Sequence, residues 1–236
     1  MEVIPAREFN YLYIILDSAW LFILLLIFIY TKRYIAIIAG LAGAFIYFLV
    51  DYGIFYLLLD TRTVTGANTA LLLLWLSISY GFTNFAWIWL WLDRDGHALE
   101  WSLLIISGWI ATAFLSQNFG SGFAVISIQR GTSGYHGIMA LILLAGYTVL
   151  IIRNIRNKDK GKEKINILWI LVIGILVQFS WEAVLLISGI RNPGIMPLIV
   201  NSLIETNMGL PILYFIHTAI SRRYSEDFKR KLLRQA

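Results

Sequence analysis

Seven runs of 18 to 24 mostly apolar residues punctuate the chain, at 12–30, 34–56, 69–92, 101–119, 135–152, 165–188 and 197–220. A helix needs about 20 such residues to cross the hydrocarbon core of a bilayer. Lipid offers no partner to a bare backbone amide, so only helices and closed barrels span it. The runs therefore predict an all-α, polytopic membrane protein, with seven transmembrane helices in one bundle and a single domain over residues 1–236. Composition agrees: 59% of the 236 residues are hydrophobic and 14% are charged, against about 25% charged in a soluble domain. The surrounding partner is then the lipid bilayer, as in the cytoplasmic membrane of a prokaryote. The first run is too long for a cleaved leader, and no small-residue cleavage site follows it. The absence of cysteine excludes disulfides, thiolate nucleophiles and cysteine metal sites.

The basic residues set the orientation. Alternate segments, beginning with the N-terminus, hold Arg7, Arg62, Arg130 and Arg191, whereas the other set holds fifteen of the 19 Lys and Arg residues. Cytoplasmic connections carry the excess of Lys and Arg, so the N-terminus is expected outside and the C-terminus in the cytoplasm. The net charge of +5 follows from this topology and does not imply nucleic acid. The connection "RNIRNKDKGKEK" at 153–164 reads as a solvated cytoplasmic loop. The tail at 221–236 is basic and suits an anionic inner leaflet. Gly40, Gly43 and Ala44 allow close helix contact in the second span. The cluster "NFGSGF" at 118–123 follows a span and is expected as an outer loop.

Polar residues inside the spans carry the functional signal. Counting along each span from its predicted end puts Asp17, Asp51, Gln117, Asn118, His136, Glu182, Asn201, Glu205 and Asn207 at the outer level, and leaves mainly Asn84 and His217 at the inner one, with Gln178 near the middle. Ionisable side chains in a bilayer cost several kcal/mol and usually face a bundle interior or a wet cavity. Their gathering at one depth predicts a shared, outward-facing pocket; separate interhelical hydrogen bonds are the plainer explanation for each residue alone. A carboxyl in an apolar pocket can keep its proton and serve as a general acid. Tyr47, Tyr52, Phe55, Trp181 and Tyr214 lie on the same spans, and aromatic faces attract cations, although interfacial belts use Trp and Tyr as well. Acids with aromatic walls suit carbocation chemistry on a hydrophobic, isoprenoid-like molecule. Three histidines without zinc-binding spacing do not suggest a metal. No cofactor is expected, and no lysine lies inside a span to hold retinal.

Several stretches resemble the small seven-helix integral-membrane terpene cyclases of meroterpenoid biosynthesis. "LDSAWLFILLLIFIY" at 16–30 is similar to their first helix, and "QRGTSGYH" at 129–136 to a basic glycine–serine stretch of theirs. In "LIETNMGLPILYFI", followed by "SRRYSE", an acid is succeeded by glycine four residues on and tyrosine nine on, here Glu205, Gly209 and Tyr214. "FLVDYGIF" at 48–55 stands where the family carries a Trp–Glu pair, and Trp181–Glu182 supplies such a pair in the sixth span instead. The resemblance implies metal-independent protonation of an epoxide or alkene of a prenyl chain. It maps the two essential acids onto Asp51 and Glu205, with Glu182 auxiliary. Asp17, Tyr52, Gln117, Asn118, His136, Trp181, Asn201, Asn207 and Tyr214 are the expected pocket-lining residues. The alternative is a transporter or channel for a cation or small solute with a carboxylate-lined outward-facing site, since Gly209 and Pro211 could break the seventh span beside Glu205. A non-catalytic receptor or assembly subunit is the third.

Overall fold

The computed structural model describes residues 6–131 and 133–235. Among them, six helices are long and apolar enough to cross a membrane: Tyr11–Tyr30, Tyr34–Leu58, Thr69–Leu92, Ala98–Phe119, His136–Asp159 and Ile167–Ile187. They coincide with the first six apolar runs to within a few residues at most ends. The exception is the fifth, which continues past residue 152 because its charged end stays helical to Asp159. Their outward faces carry large apolar side chains such as Phe22, Ile38 and Leu141, as contact with lipid requires.

Three of the predicted spans are not uniform. The second begins as α2 (Tyr34–Phe48) and widens to π-helical winding over Leu49–Leu58. The third consists of α3 (Thr69–Leu76), a π-helical stretch over Ser77–Phe82, and α4 (Thr83–Leu92). π turns are rare and concentrate at functional sites. The seventh run is split into α8 (Ile195–Ile204) and α9 (Leu210–Gln235), separated by the turn at 205–209. Pro211 is the second residue of α9, where a missing N–H breaks no helical hydrogen bond. The predicted basic tail continues α9 to Gln235, and Ala236 falls outside the described residues. The remaining helices are α1 (Tyr11–Tyr30), α5 (Ala98–Phe119), α6 (His136–Asp159) and α7 (Ile167–Ile187).

The glycines of the second span do what small residues do between membrane helices. A Cβ on Gly40 would lie 2.7 Å from the Phe82 ring, and one on Gly43 2.3 Å from Phe85. α2 can thus press directly onto the third span.

The all-α expectation omits one feature. β1 (Ala6–Asn10), β2 (Arg62–Thr65) and β3 (Val125–Arg130) form an antiparallel sheet in the order β1-β3-β2. The strands come from the N-terminal segment, the second connection and the fourth, which therefore meet at one end of the bundle. The sixth connection joins them, because Arg7 pairs with Arg191 and the Glu8 N–H donates to the Ile190 carbonyl at 2.7 Å. In "VISIQR" the β-branched Ile126 and Ile128 are fully buried, while Val125, Ser127 and Gln129 between and before them are not. That is the alternation of a strand with one face on a core. Arg62 lies directly opposite Arg130, and Arg7 opposite Ile128, so the register sets two guanidiniums side by side.

Candidate functional site

Like charges directly opposed across a sheet repel, so the Arg62–Arg130 register needs a counter-ion. Asp51, on the π-helical part of the second span, supplies it. Its Oδ1 accepts from Arg62 Nε at 2.9 Å and Nη2 at 2.6 Å, and Arg130 Nη2 reaches both carboxylate oxygens at 2.9 Å. Burial pushes the Arg62 guanidinium down to about 10, and the Arg130 charge pushes the same way against the pull of Asp51. Burial also opposes the Arg130 charge, but Asp51 and Glu205 outweigh it and hold that guanidinium above its ordinary range.

Glu182, on α7, repeats the pattern with the other two arginines. Its Oε1 accepts from Arg7 Nη2 at 3.2 Å and from Asn201 Nδ2 at 3.2 Å, while Arg191 Nη1 donates to Oε2. Glu182 is fully buried, and Arg7 and Arg191 are 6% and 4% exposed. Burial lowers the Arg7 guanidinium, with Arg130 and Arg191 adding to the effect against the pull of Glu182. Such a carboxylate, saturated by donors, holds the ends of α7 and α8 to the sheet.

Glu205 differs from both. It caps the C-terminus of α8 at the break in the seventh run, and among the described residues no arginine is hydrogen-bonded or ion-paired to it. Its carboxyl accepts one hydrogen bond, at Oε2 from Gln178 Nε2 at 3.1 Å. Gln178 is the hub between the acids: its Nε2 also lies 3.4 Å from Glu182 Oε1, and its Oε1 accepts from Thr206 Oγ1 at 2.7 Å and from the Tyr80 hydroxyl.

Glu205 and Asp51 line one cavity of about 190 Å³, together with Arg62 and Arg130. Its aromatic walls are Tyr47, Phe55, Tyr80 and Phe85, and Ile88, Leu213 and Asn84 also line it. Tyr47 and Tyr80 meet edge to face at 4.8 Å, and Arg62 lies 4.4 Å above the Phe55 ring. Both polar atoms of Asn84 are buried without a hydrogen-bond partner. Residues read as outer and inner thus border the same space, because the cavity runs deeper than one level. A second cavity, about 320 Å³, adjoins the first across Ile46, Phe85, Gly209 and Leu213, which line both, and lies between α2 and α9 among apolar side chains.

The other expected residues scatter. Asn201 and Trp181 support the site from behind: Asn201 donates to Glu182, and the Trp181 ring packs 5.3 Å from Tyr80 and 5.0 Å from Trp109. Asn207 accepts from the Tyr147 hydroxyl at 3.0 Å and ties α6 to the broken span. Tyr52 stacks between Phe48 and Tyr56, and Tyr214 packs against Phe215; neither borders the cavity. Gln117 and Asn118 are exposed at the end of α5, where Asn118 Nδ2 caps the Phe114 carbonyl at 2.8 Å. His136 is half-buried at the start of α6, outside the cavity lining. Asp17 is fully buried in α1 with neither oxygen in a hydrogen bond, also apart from the cavity.

The residues that sequence reasoning missed are the four arginines. Each was legible as a lone cation in a short outer connection, and so as a contribution to topology. One signal could have marked them: the sheet-end halves of the spans carry acids that need counter-ions, and each connection at that end offers a single arginine. Comparison with protein-family models, with curated proteins and with solved structures finds no match to this chain.

Proposed function

We propose that this protein is a membrane-embedded isoprenoid cyclase or isomerase in which Glu205 is the general acid. The observation that carries the reading is the cavity lined by Glu205, Asp51 and four aromatic rings, adjoining an apolar one. Glu205 delivers its proton to an alkene or epoxide of the bound chain, and the resulting cation lies among Tyr47, Phe55, Tyr80 and Phe85, whose faces stabilise positive charge. Cyclisation or a shift moves the cation along the chain. Loss of a proton to the Glu205 carboxylate then ends the reaction and restores the acid. Asp51, held by two guanidiniums, serves to fix Arg62 and Arg130 rather than to donate a proton. Glu182 anchors the hub residue Gln178, which orients Glu205. In this reading α8 and α9 together make the seventh crossing, and the sheet end faces outside with the fifteen cations in the cytoplasm.

General acids contribute about 10²- to 10⁴-fold to rate. The Glu205→Gln variant, with nearly the same shape, should keep its fold and lose turnover of a prenyl epoxide or polyene by that factor. Undiminished turnover in the variant would overturn the assignment.

The break at 205–209 favours a second reading, a small-solute transporter, since transporter helices are interrupted beside their sites. Flux of a labelled solute into proteoliposomes, abolished by the same substitution, would support that reading over the first.

A further inference from the structure

Among the described residues, the sheet-end cluster brings together four guanidiniums, Arg7, Arg62, Arg130 and Arg191, and three carboxyls, Asp51, Glu182 and Glu205. Two of those carboxyls each face a pair of arginines, and Glu205 is within the reach of none. The cluster therefore carries more positive than negative charge, whatever the state of Glu205. A buried charge is stable only when paired or hydrogen-bonded. The donors are also incompletely used. Arg130 Nε is buried without an acceptor, and so is Arg191 Nη2, on a side chain 4% exposed. Of the four arginines, the two that stand opposite each other in the sheet, Arg62 and Arg130, border the cavity. A guanidinium is a planar fork for an oxyanion, and Arg130 engages Asp51 through Nη2 alone, leaving Nε unused.

We infer that the cavity takes an amphipathic anion, with an acidic head, phosphate or carboxylate, against Arg130 and Arg62 and an apolar chain running past Phe85 into the cavity between α2 and α9. The inference rests on the reading of the cavity as an isoprenoid site and adds the head group that site selects. The head supplies the negative charge the cluster lacks. The chain occupies a space whose walls, from Ile46 to Ile220, offer no polar group. Glu205 then lies beside the chain, where a proton would be delivered, while the arginines hold its end.

The test is equilibrium binding to the full chain in nanodiscs of zwitterionic phosphatidylcholine, with three probes: farnesyl phosphate, farnesol and inorganic phosphate. Farnesyl phosphate should bind at least about tenfold more tightly than either of the others. In Arg130→Gln that advantage over farnesol should disappear while farnesol itself binds as before. Equal binding of farnesol and farnesyl phosphate would overturn the inference. So would inorganic phosphate binding as tightly as farnesyl phosphate, which would mean a site for a free anion, or an advantage that survives Arg130→Gln. If Arg130→Gln does not fold, the comparison of probes on the unaltered protein decides alone. Glu205→Gln separates this inference from the catalytic reading, because it removes the acid but leaves the arginines. A retained preference for farnesyl phosphate supports the inference even if no turnover is ever found. A preference lost in Glu205→Gln, in a folded protein, overturns it.

Discussion

At the sheet end of the bundle Arg7, Arg62 and Arg191 are between 2% and 6% exposed, and with Arg130 each is bound to an acid from a membrane span. At the opposite end Arg33 meets Asp95 at 2.6 Å with about a third of its side chain in the open. The six cations of 153–164 are exposed there as well. Both sets enter a count of basic residues in the same way, yet their energetics are unlike. The exposed set is largely solvated, so each of its ion pairs is worth little. The buried set has given up water, so its stability depends on the geometry of a few carboxylate contacts. Two of its members, Arg62 and Arg130, also border a cavity.

Glu182 distinguishes the two ends by the largest margin. Glu182→Ala leaves Arg7 and Arg191 buried without their counter-charge, and unfolding in mild detergent should show a loss of about 3 to 5 kcal/mol. A loss below about 1 kcal/mol, the scale of an exposed pair, would mean the two ends are not different in kind. Asp51→Asn strands Arg62 and Arg130 in the same way. It should cost somewhat less, about 3 kcal/mol, because Asp51 borders the cavity and water there can screen the guanidiniums. Binding of farnesyl phosphate should recover part of that loss, since its head would stand in for the missing carboxylate. At the other end, Arg33→Ala should lower stability by no more than about 1 kcal/mol. The smallest effect sharpens the contrast. Raising salt to about 1 M shortens the Debye length to about 3 Å, so the Arg33→Ala difference should vanish while the Glu182→Ala difference persists. If both fade together, the sheet-end pairs are solvated and the cluster is not a buried site.

Much of this was legible residue by residue. Apolar runs mark the spans because a bilayer filters for length and hydropathy, and both are properties of a segment alone. Gly40 and Gly43 announced close packing because only a missing side chain permits it, and Phe82 and Phe85 fill the places where a Cβ would stand. Asp51, Glu182 and Glu205 stood out because a carboxyl in a span needs a reason. The strands did not stand out: each is four to six residues long, and each pairs with a segment many tens of residues away. Tyr52 and Tyr214 show the limit from the other side. Sharing a span with an acid does not put a ring in the acid's cavity, because one helix face looks inward and the rest does not.

Read alone, the chain shows six helices apolar enough for lipid and the acids within them that call for a partner. All of these follow from the cost of leaving an apolar side chain in water or a polar one in hydrocarbon. Only the tertiary structure decided which partner each acid has. The β2–β3 register sets Arg62 beside Arg130 at Asp51, the contact of Arg7 with Arg191 closes the second pair around Glu182, and the break at 205–209 places Glu205 on the cavity that Arg62 and Arg130 border, hydrogen-bonded to Gln178 and not to either arginine. Electrostatic pairing depends on distance and burial, and these are set by contacts between segments far apart in the chain.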